Sequence, residues 1–124
     1  MSADDEVRVV VVDDMVDAAD MLACALEMDG YTVWTAHDGL RALALIEEHR
    51  PHCVLLDIDL PGIDGNEVCK RVRERYVDDI VLIAVSGWDI ADRRVVDGFA
   101  RADHYLRKPV DLSDLRRVLP PLHS

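Results

Sequence analysis

Residues that could do chemistry follow several apolar, strand-like segments of this 124-residue chain. Two adjacent acids, Asp13 and Asp14, follow the first segment, and a single acid, Asp57, follows a later one. A hydroxyl residue, Ser86, and a basic residue, Lys108, stand at the ends of two further segments. If the first and third segments are neighbours in one sheet, three carboxylates meet, and protonation or a hard divalent cation relieves their repulsion. The pattern therefore predicts a Mg²⁺ site.

The chemistry that this set of residues permits is phosphoryl transfer. A carboxylate can attack phosphorus and become an acyl phosphate. Asp57 is the better nucleophile because it stands alone, whereas the pair Asp13-Asp14 can hold the metal ion. Mg²⁺, Lys108 and the Ser86 hydroxyl suit the charged equatorial oxygens of a loose transition state.

Two further residues adjoin this set. Gly87 follows Ser86 and leaves the floor of the crevice open, and Pro109 follows Lys108. A proline there favours a peptide bond of fixed geometry, either trans or cis, that would aim the lysine inward. Taken singly, each feature has a plainer interpretation: the acid pair could cap a helix, and the hydroxyl and the lysine could be solvated. Their occurrence together at four strand ends favours a site.

Strand-like and helix-like patterns alternate five times along the chain, which predicts one doubly wound α/β domain with a parallel sheet. Such sheets bind ligands at the carboxyl ends of their strands. The predicted strands are residues 7–12, 32–36, 53–56, 80–85 and 104–106. The first predicted helix covers residues 15–29, with apolar residues Met15, Ala19, Leu22 and Leu26, and the second is capped by Asp38 and carries Leu40, Leu43, Ala44 and Ile46. The third is capped by Asp64 and carries Val68, Val72 and Tyr76. The fourth carries Ala91, Val95 and Phe99, and the last covers residues 111–119 with Leu112, Leu115 and Leu119.

The composition excludes several classes of function. Lys and Arg number 14 against 25 Asp and Glu, a formal charge of −11, which disfavours nucleic acid and anionic membrane surfaces. The first residues do not resemble a signal peptide, and no apolar run is long enough to span a membrane, so we expect a cytoplasmic protein. We interpret Cys24, Cys53 and Cys69 as small core residues in a reducing compartment. The five histidines share no ligand spacing, and the sequence assigns them no chemistry.

Four motifs in this chain resemble those of the response-regulator receiver domain of two-component signalling. They are VVVVDD at residues 9–14, LLDIDLPGIDG at 55–65, AVSG at 84–87 and DHYLRKP at 103–109. They occur in the family's order and spacing and cover nearly the whole chain. The resemblance implies a single receiver domain over residues 1–124, with a core of about 7–119. Since nothing follows the last predicted helix, we expect no output domain. The resemblance also implies a flavodoxin-like sheet of strand order 2-1-3-4-5.

The resemblance assigns the acids. It implies that Asp57 is phosphorylated by a histidine kinase or a histidine phosphotransfer protein. It implies that Asp13 or Asp14, together with Asp57 and the backbone carbonyl of Asp59, binds Mg²⁺, for which Mn²⁺ could substitute. A receiver of this kind is no conventional enzyme, because it catalyses only its own phosphorylation and dephosphorylation. The Leu-Pro-Gly loop is similar to that of receivers in hybrid histidine kinases.

The resemblance also implies a switch. Ser86 and Lys108 would contact the phosphoryl oxygens, and Tyr105 would be the rotating aromatic residue coupled to Ser86. The fourth helix, fifth strand and fifth helix would then offer a changed surface to a downstream protein. Trp88 is bulkier than is usual at its position and could shade Asp57. Arginines that we expect on or near the changed surface are Arg93, Arg94, Arg116 and Arg117.

Two other functions compete with this prediction. Leu56-Asp57-Ile58-Asp59 resembles the first motif of haloacid-dehalogenase-type Mg²⁺ phosphatases, but those enzymes place their metal-binding acid pair late in the chain. The other alternative is a receiver-like binding module that is not phosphorylated, and the intact set of acids, hydroxyl and lysine argues against it. Turnover of an aryl phosphate would favour the phosphatase, and failure to bind Mg²⁺ would favour the binding module.

Overall fold

The computed structural model describes residues 6–58, 65–77, 79–87 and 102–122. Five parallel strands form one sheet in the order β2-β1-β3-β4-β5, which confirms the predicted fold. The predicted fourth helix lies outside the described residues. The strands are β1 (Arg8–Val12), β2 (Thr32–Ala36), β3 (Cys53–Asp57), β4 (Val81–Ser86) and β5 (His104–Arg107). The helices are α1 (Val16–Asp29), α2 (Gly39–His49), α3 (Gly65–Tyr76) and the C-terminal helix (Leu112–Val118).

The sheet separates two apolar layers. Val10 and Val12 of β1 pack on the side of α2 and α3, whereas Val9 and Val11 pack on the side of α1 and the C-terminal helix. Side chains alternate across a strand, so a run of valines suits a strand that is covered on both faces. This double cover leaves the ends of the central strands as the places where polar side chains gather.

Helix α2 turns only part of the face that the sequence predicts to the core. Of the residues that carry the predicted face, Ile46 is buried and Leu43 is half-buried against the core, whereas Leu40 and Ala44 are exposed. The prediction of this face is wrong for Leu40 and Ala44 because α2 carries alanine and leucine on adjacent stripes, so apolar spacing alone does not choose between them. The residues of α2 that are buried are Gly39, Ala42, Leu45 and Ile46.

Two further predictions about the core are wrong. Cys24 is exposed on α1, although Cys53 and Cys69 are buried as predicted. Met15 is the N-cap of α1 and is 62% exposed, so the first apolar residue of the predicted helix does not contribute to the core. In contrast, the predicted inner face of α3 is confirmed, and so is the central leucine of the C-terminal helix. The buried residues in question are Val68, Val72, Tyr76 and Leu115.

Short polar contacts fix the helix ends. Asp38 accepts a hydrogen bond from the Arg41 N–H at 2.7 Å, which confirms the predicted cap of α2. Gly30 closes α1 with φ of 113°, a conformation that favours glycine. None of the helices within the described ranges is long and apolar enough to cross a membrane.

An arginine braces the edge of the sheet that lies opposite the polar strand ends. Arg73 of α3 contacts Asp103 at 2.6 Å and donates to the Ile80 carbonyl at 2.9 Å. Asp103 also accepts from the Leu82 N–H at 2.8 Å. Burial alone would raise the pKa of Asp103, but the hydrogen bonds from Leu82 and Arg73 outweigh it and hold this pKa below its ordinary value. The brace therefore stays ionised at neutral pH and ties α3 to β4 and β5.

Candidate functional site

The strand register brings the predicted residues to one edge. Val12 of β1 is paired with Leu56 of β3, so the acids that follow them, Asp13 and Asp57, are neighbours. Backbone hydrogen bonds continue past the strands: the Ile58 N–H donates to the Val85 carbonyl at 3.0 Å. The Lys108 N–H likewise donates to the carbonyl of Ser86 at 2.9 Å. The polar side chains are thus held by the sheet itself.

The three acids lie together. One carboxylate oxygen from each of Asp13, Asp14 and Asp57 lies within 4.8 Å of the other two. Asp13 is 6% exposed and Asp57 is 3% exposed, whereas Asp14 faces solvent. Asp13 also accepts a hydrogen bond from the Met15 N–H at 2.9 Å, so its carboxylate shapes the turn into α1 as well. Two buried acids beside an exposed one form an anionic crevice that is open on one side.

Lys108 supplies positive charge to this crevice. Its Nζ lies 2.6 Å from Oδ2 of Asp57 and 3.5 Å from Oδ2 of Asp13. Partial burial acts to lower the pKa of Lys108, but the hydrogen bond and charge of Asp57 and the charge of Asp13 outweigh it, so this pKa lies above its ordinary value. The lysine is therefore a cation at neutral pH. The peptide bond between Lys108 and Pro109 is cis, the form that the sequence suggests.

Ser86 and Tyr105 lie on neighbouring strands of the same edge. Ser86 is fully buried, and Tyr105 is half-buried. Tyr105 pairs with Ala84 and Arg107 with Ser86, and side chains two residues apart share a face. The two side chains therefore project from one face of the sheet on adjacent strands. Among the residues that the structure describes, a Cβ added to Gly87 would meet no atom within 4 Å.

Several predicted participants lie outside the described residues. These are Asp59, Asp64, Trp88, Arg93 and Arg94.

Gly65 supports the site, although its position in the sequence predicts no role for it. The Gly65 N–H donates to the carbonyl of Ile58 at 3.1 Å, which places the start of α3 against the end of β3. A Cβ on this residue would lie 2.4 Å from Cα of Ile58 and 2.7 Å from the carbonyl oxygen of Asp57. Backbone atoms cannot yield as a side chain does, so only glycine fits here. The feature of the sequence that could have indicated this close packing is the glycine that ends the motif at residues 55–65.

The Gly65→Ala protein is expected to lose about 1–3 kcal/mol of unfolding free energy, because the added methyl group forces α3 away from β3. Urea unfolding measures this loss. Gly87→Ala is the matched control, since its methyl group would meet no atom of the described part of the chain within 4 Å, and we expect no comparable loss. Equal stabilities of the two variants would contradict the close packing at Gly65.

His37 also reaches the site, although the sequence assigns it no chemistry. Its Nδ1 lies 3.0 Å from the backbone carbonyl oxygen of Asp13. The N–H of Asp13 donates to the carbonyl of Ala36, also at 3.0 Å. A search for metal-ligand spacing misses such a residue. The signal that could have found it is its position directly after β2, next to the end of β1.

The parallel sheet of order 2-1-3-4-5 defines a doubly wound α/β protein. The three acids and the lysine at the carboxyl edge of this sheet define a phosphoacceptor site. Residues 9–119 match the family model of the response regulator receiver domain, and the chain belongs to that family. It is therefore a phosphoacceptor domain of two-component signalling and no conventional enzyme. Membership implies a cognate histidine kinase.

Comparisons with individual proteins agree with this assignment. Response regulator MprA of Mycobacterium ulcerans is 40% identical over 109 residues, which make up 88% of this chain and 47% of that protein. The chain thus spans about half the length of the curated relatives that it matches. A CheY-like receiver domain protein from Methanospirillum hungatei has a TM-score of 0.83 at 30% identity, covering 90% of this chain and 89% of that one. A response regulator from Burkholderia pseudomallei has a TM-score of 0.82 at 25% identity, covering 93% and 67%.

Proposed function

We propose that Asp57 accepts a phosphoryl group from a phosphohistidine, beside a Mg²⁺ ion held by Asp13, Asp14 and Asp57. The observation that carries the proposal is the meeting of these three carboxylates within 4.8 Å, with Lys108 at 2.6 Å from Asp57. Asp57 is the least exposed of the acids and the one that the lysine contacts most closely. A nucleophile needs such a fixed position and a cation for the incoming charge.

The donor set fits a hard cation. The acidic group consists of carboxylate oxygens, the ligands that Mg²⁺ and Ca²⁺ prefer, and the exposed Asp14 leaves a side for the waters that Mg²⁺ retains. We propose the backbone carbonyl of Asp59 as a further ligand and Mn²⁺ as a substitute ion. The relative from Burkholderia pseudomallei was crystallised with a phosphorylated aspartic acid and a calcium ion, which supports both an aspartyl phosphate and a hard cation.

The reaction follows from these positions. A carboxylate oxygen of Asp57 attacks phosphorus, the bond from phosphorus to the donor's imidazole nitrogen breaks, and the electron pair leaves on that nitrogen. Lys108 turns from Asp57 to the phosphoryl oxygens and donates to them, as does the Ser86 hydroxyl. When bound, Mg²⁺ supplies a Lewis acid for the same oxygens. The product is an acyl phosphate on Asp57.

The signal would begin at Ser86. Phosphorylation adds roughly −1.5 to −2 charge, and the new oxygens draw the Ser86 hydroxyl toward them. Tyr105 lies on the same face of the neighbouring strand and moves into the vacated space. The equilibrium between two conformations then shifts. The proposed output face comprises the predicted fourth helix, β5 and the C-terminal helix.

The arginines of the C-terminal helix differ in what they can offer to a partner on this face. Arg116 contacts Asp29 of α1 at 2.8 Å and is therefore engaged within the domain. The side chain of Arg117 is 77% exposed and lies 3.6 Å from Asp114. We therefore propose Arg117 as the better contact for an acidic partner.

The same proposal covers the partners and the setting of the chain. The phosphoryl donor is a histidine kinase or a histidine phosphotransfer protein, and neither nucleic acid nor membrane is a direct ligand. Residues 7–119 form the receiver core of a single domain. Cys24 and Cys53 are free thiols, which suits the reducing cytoplasm that we propose as its compartment.

The experiment is a stoichiometry measurement. The protein is incubated with acetyl phosphate in the presence of Mg²⁺, and its intact mass is recorded. We expect one phosphoryl group per chain with Mg²⁺ and none with a chelator. Failure to gain mass with Mg²⁺ would favour an unphosphorylated binding module, and repeated turnover of an aryl phosphate would favour a phosphatase. Either result would defeat the proposal.

A further inference from the structure

We propose that His37 is a positioning residue for the metal-binding acid pair: its imidazole holds the peptide group that joins Asp13 to Asp14. This inference rests on the proposed function, because it concerns the same ion. It assigns a role to a histidine that is neither a ligand nor a phosphate contact.

The contact defines the proton on the ring. Nδ1 of His37 lies 3.0 Å from the carbonyl oxygen of Asp13, and a carbonyl oxygen can only accept a hydrogen bond. Nδ1 must therefore carry a proton and donate it. The N–H of Asp13 donates to the carbonyl of Ala36 at 3.0 Å. The end of β2 thus holds both backbone polar groups of Asp13, one through the main chain and one through the histidine.

The contact of His37 with the Asp13 carbonyl affects the orientation of both Asp13 and Asp14. The carbonyl of Asp13 belongs to the peptide plane whose other end is the nitrogen of Asp14, so rotation of that plane redirects Asp14. Asp13 is buried and its carboxylate is further fixed by the Met15 N–H at 2.9 Å. Asp14 is exposed, so packing restrains it little and its direction depends on the backbone. His37 therefore acts chiefly on the geometry of the acid pair relative to Asp57.

Outer residues of this kind tune metal affinity. Groups that orient metal ligands without touching the metal change its affinity about 10–100-fold when they are removed. The competing role for His37 is structural, because it stands directly before Asp38, the cap of α2. A structural residue would change the stability of the domain without changing the ion affinity of the folded protein. The two roles therefore separate in a binding measurement.

The test compares His37→Asn with His37→Leu. The amide nitrogen of asparagine can take the place of Nδ1, whereas leucine fills a similar space and donates nothing. Calorimetric titration of the unphosphorylated proteins with Mg²⁺ should show an affinity about tenfold weaker for His37→Leu and near that of the wild type for His37→Asn. His104 is the exposed first residue of β5 and lies at the end of this strand that points away from the site. His104→Ala is therefore the matched histidine control and should bind Mg²⁺ as the wild type does. Thermal unfolding without Mg²⁺ verifies that each variant is folded.

Phosphorylation kinetics give a second readout. With acetyl phosphate as donor, the Mg²⁺ concentration for half-maximal rate should rise about tenfold in His37→Leu, with the rate at saturating Mg²⁺ nearly unchanged. Equal Mg²⁺ affinity in the wild type and His37→Leu, or equal weakening in both variants, would overturn the role of His37 and leave the proposed function intact. A wild-type protein that binds no Mg²⁺ would instead defeat the proposed function itself.

Discussion

The Asp57→Asn protein is expected to gain no phosphoryl group from acetyl phosphate under conditions that fully phosphorylate the wild type. Asparagine keeps the shape of the side chain and an oxygen that can accept from Lys108, which lies 2.6 Å from Oδ2 of Asp57. It loses the carboxylate that attacks phosphorus, because an amide is a poor nucleophile. Since Asp57 is 3% exposed and its shape is retained, the fold should persist. Intact mass spectrometry measures the result.

The control for this variant is Asp17→Asn. Asp17 lies in the exposed first turn of α1, so its change removes the same charge from the surface and not from the crevice. We expect Asp17→Asn to be phosphorylated as the wild type is. A mass gain in Asp57→Asn equal to that of the control would show that another residue is the acceptor.

The Lys108→Met protein is expected to change two properties in opposite directions. Its phosphorylation rate should fall at least about 100-fold, because the phosphoryl oxygens lose a charged donor as negative charge develops on them. Its affinity for Mg²⁺ should rise roughly tenfold, because the ammonium group no longer competes for the same acids. The competition follows from the distances of Nζ to Asp57 and Asp13, which are 2.6 and 3.5 Å.

The sequence offers a matched control for this second variant. Its only other lysine, Lys70, is exposed on α3, and Lys70→Met should leave both properties unchanged. Stopped-flow phosphorylation and Mg²⁺ titration are measured on both proteins. Weaker Mg²⁺ binding in Lys108→Met would mean that the lysine organises the acids and does not compete with the ion. An unchanged phosphorylation rate would remove Lys108 from the reaction.

The sheet and most of the site are predictable from the sequence. The ends of parallel strands lie at one edge, so an acid pair, an acid, a hydroxyl and a lysine at four strand ends have few other places to be. The structure describes Asp57 and Lys108 in contact, although 51 residues separate them in the chain. The types of residue at the strand ends, and not the overall composition, made this prediction possible.

Other features depend on quantities that no local pattern contains. The buried face of α2 follows from the rotation of that helix about its axis, and leucine and alanine on two adjacent stripes leave this rotation open. The exposure of Cys24 depends in the same way on which side of α1 meets the sheet. The contact of His37 with Asp13 requires the register of β2 against β1, in which Ala36 faces Val12. Packing and register, rather than propensity, therefore decide these features.

The most direct test of the central claim is to map the phosphorylated residue. Borohydride reduces an aspartyl phosphate to homoserine, which tandem mass spectrometry of the digested protein locates in the sequence. The wild-type protein, phosphorylated with Mg²⁺ and acetyl phosphate, should carry homoserine at position 57 and at no other aspartate. Homoserine at Asp13, Asp14 or a surface aspartate, with Asp57 unmodified, would contradict the account.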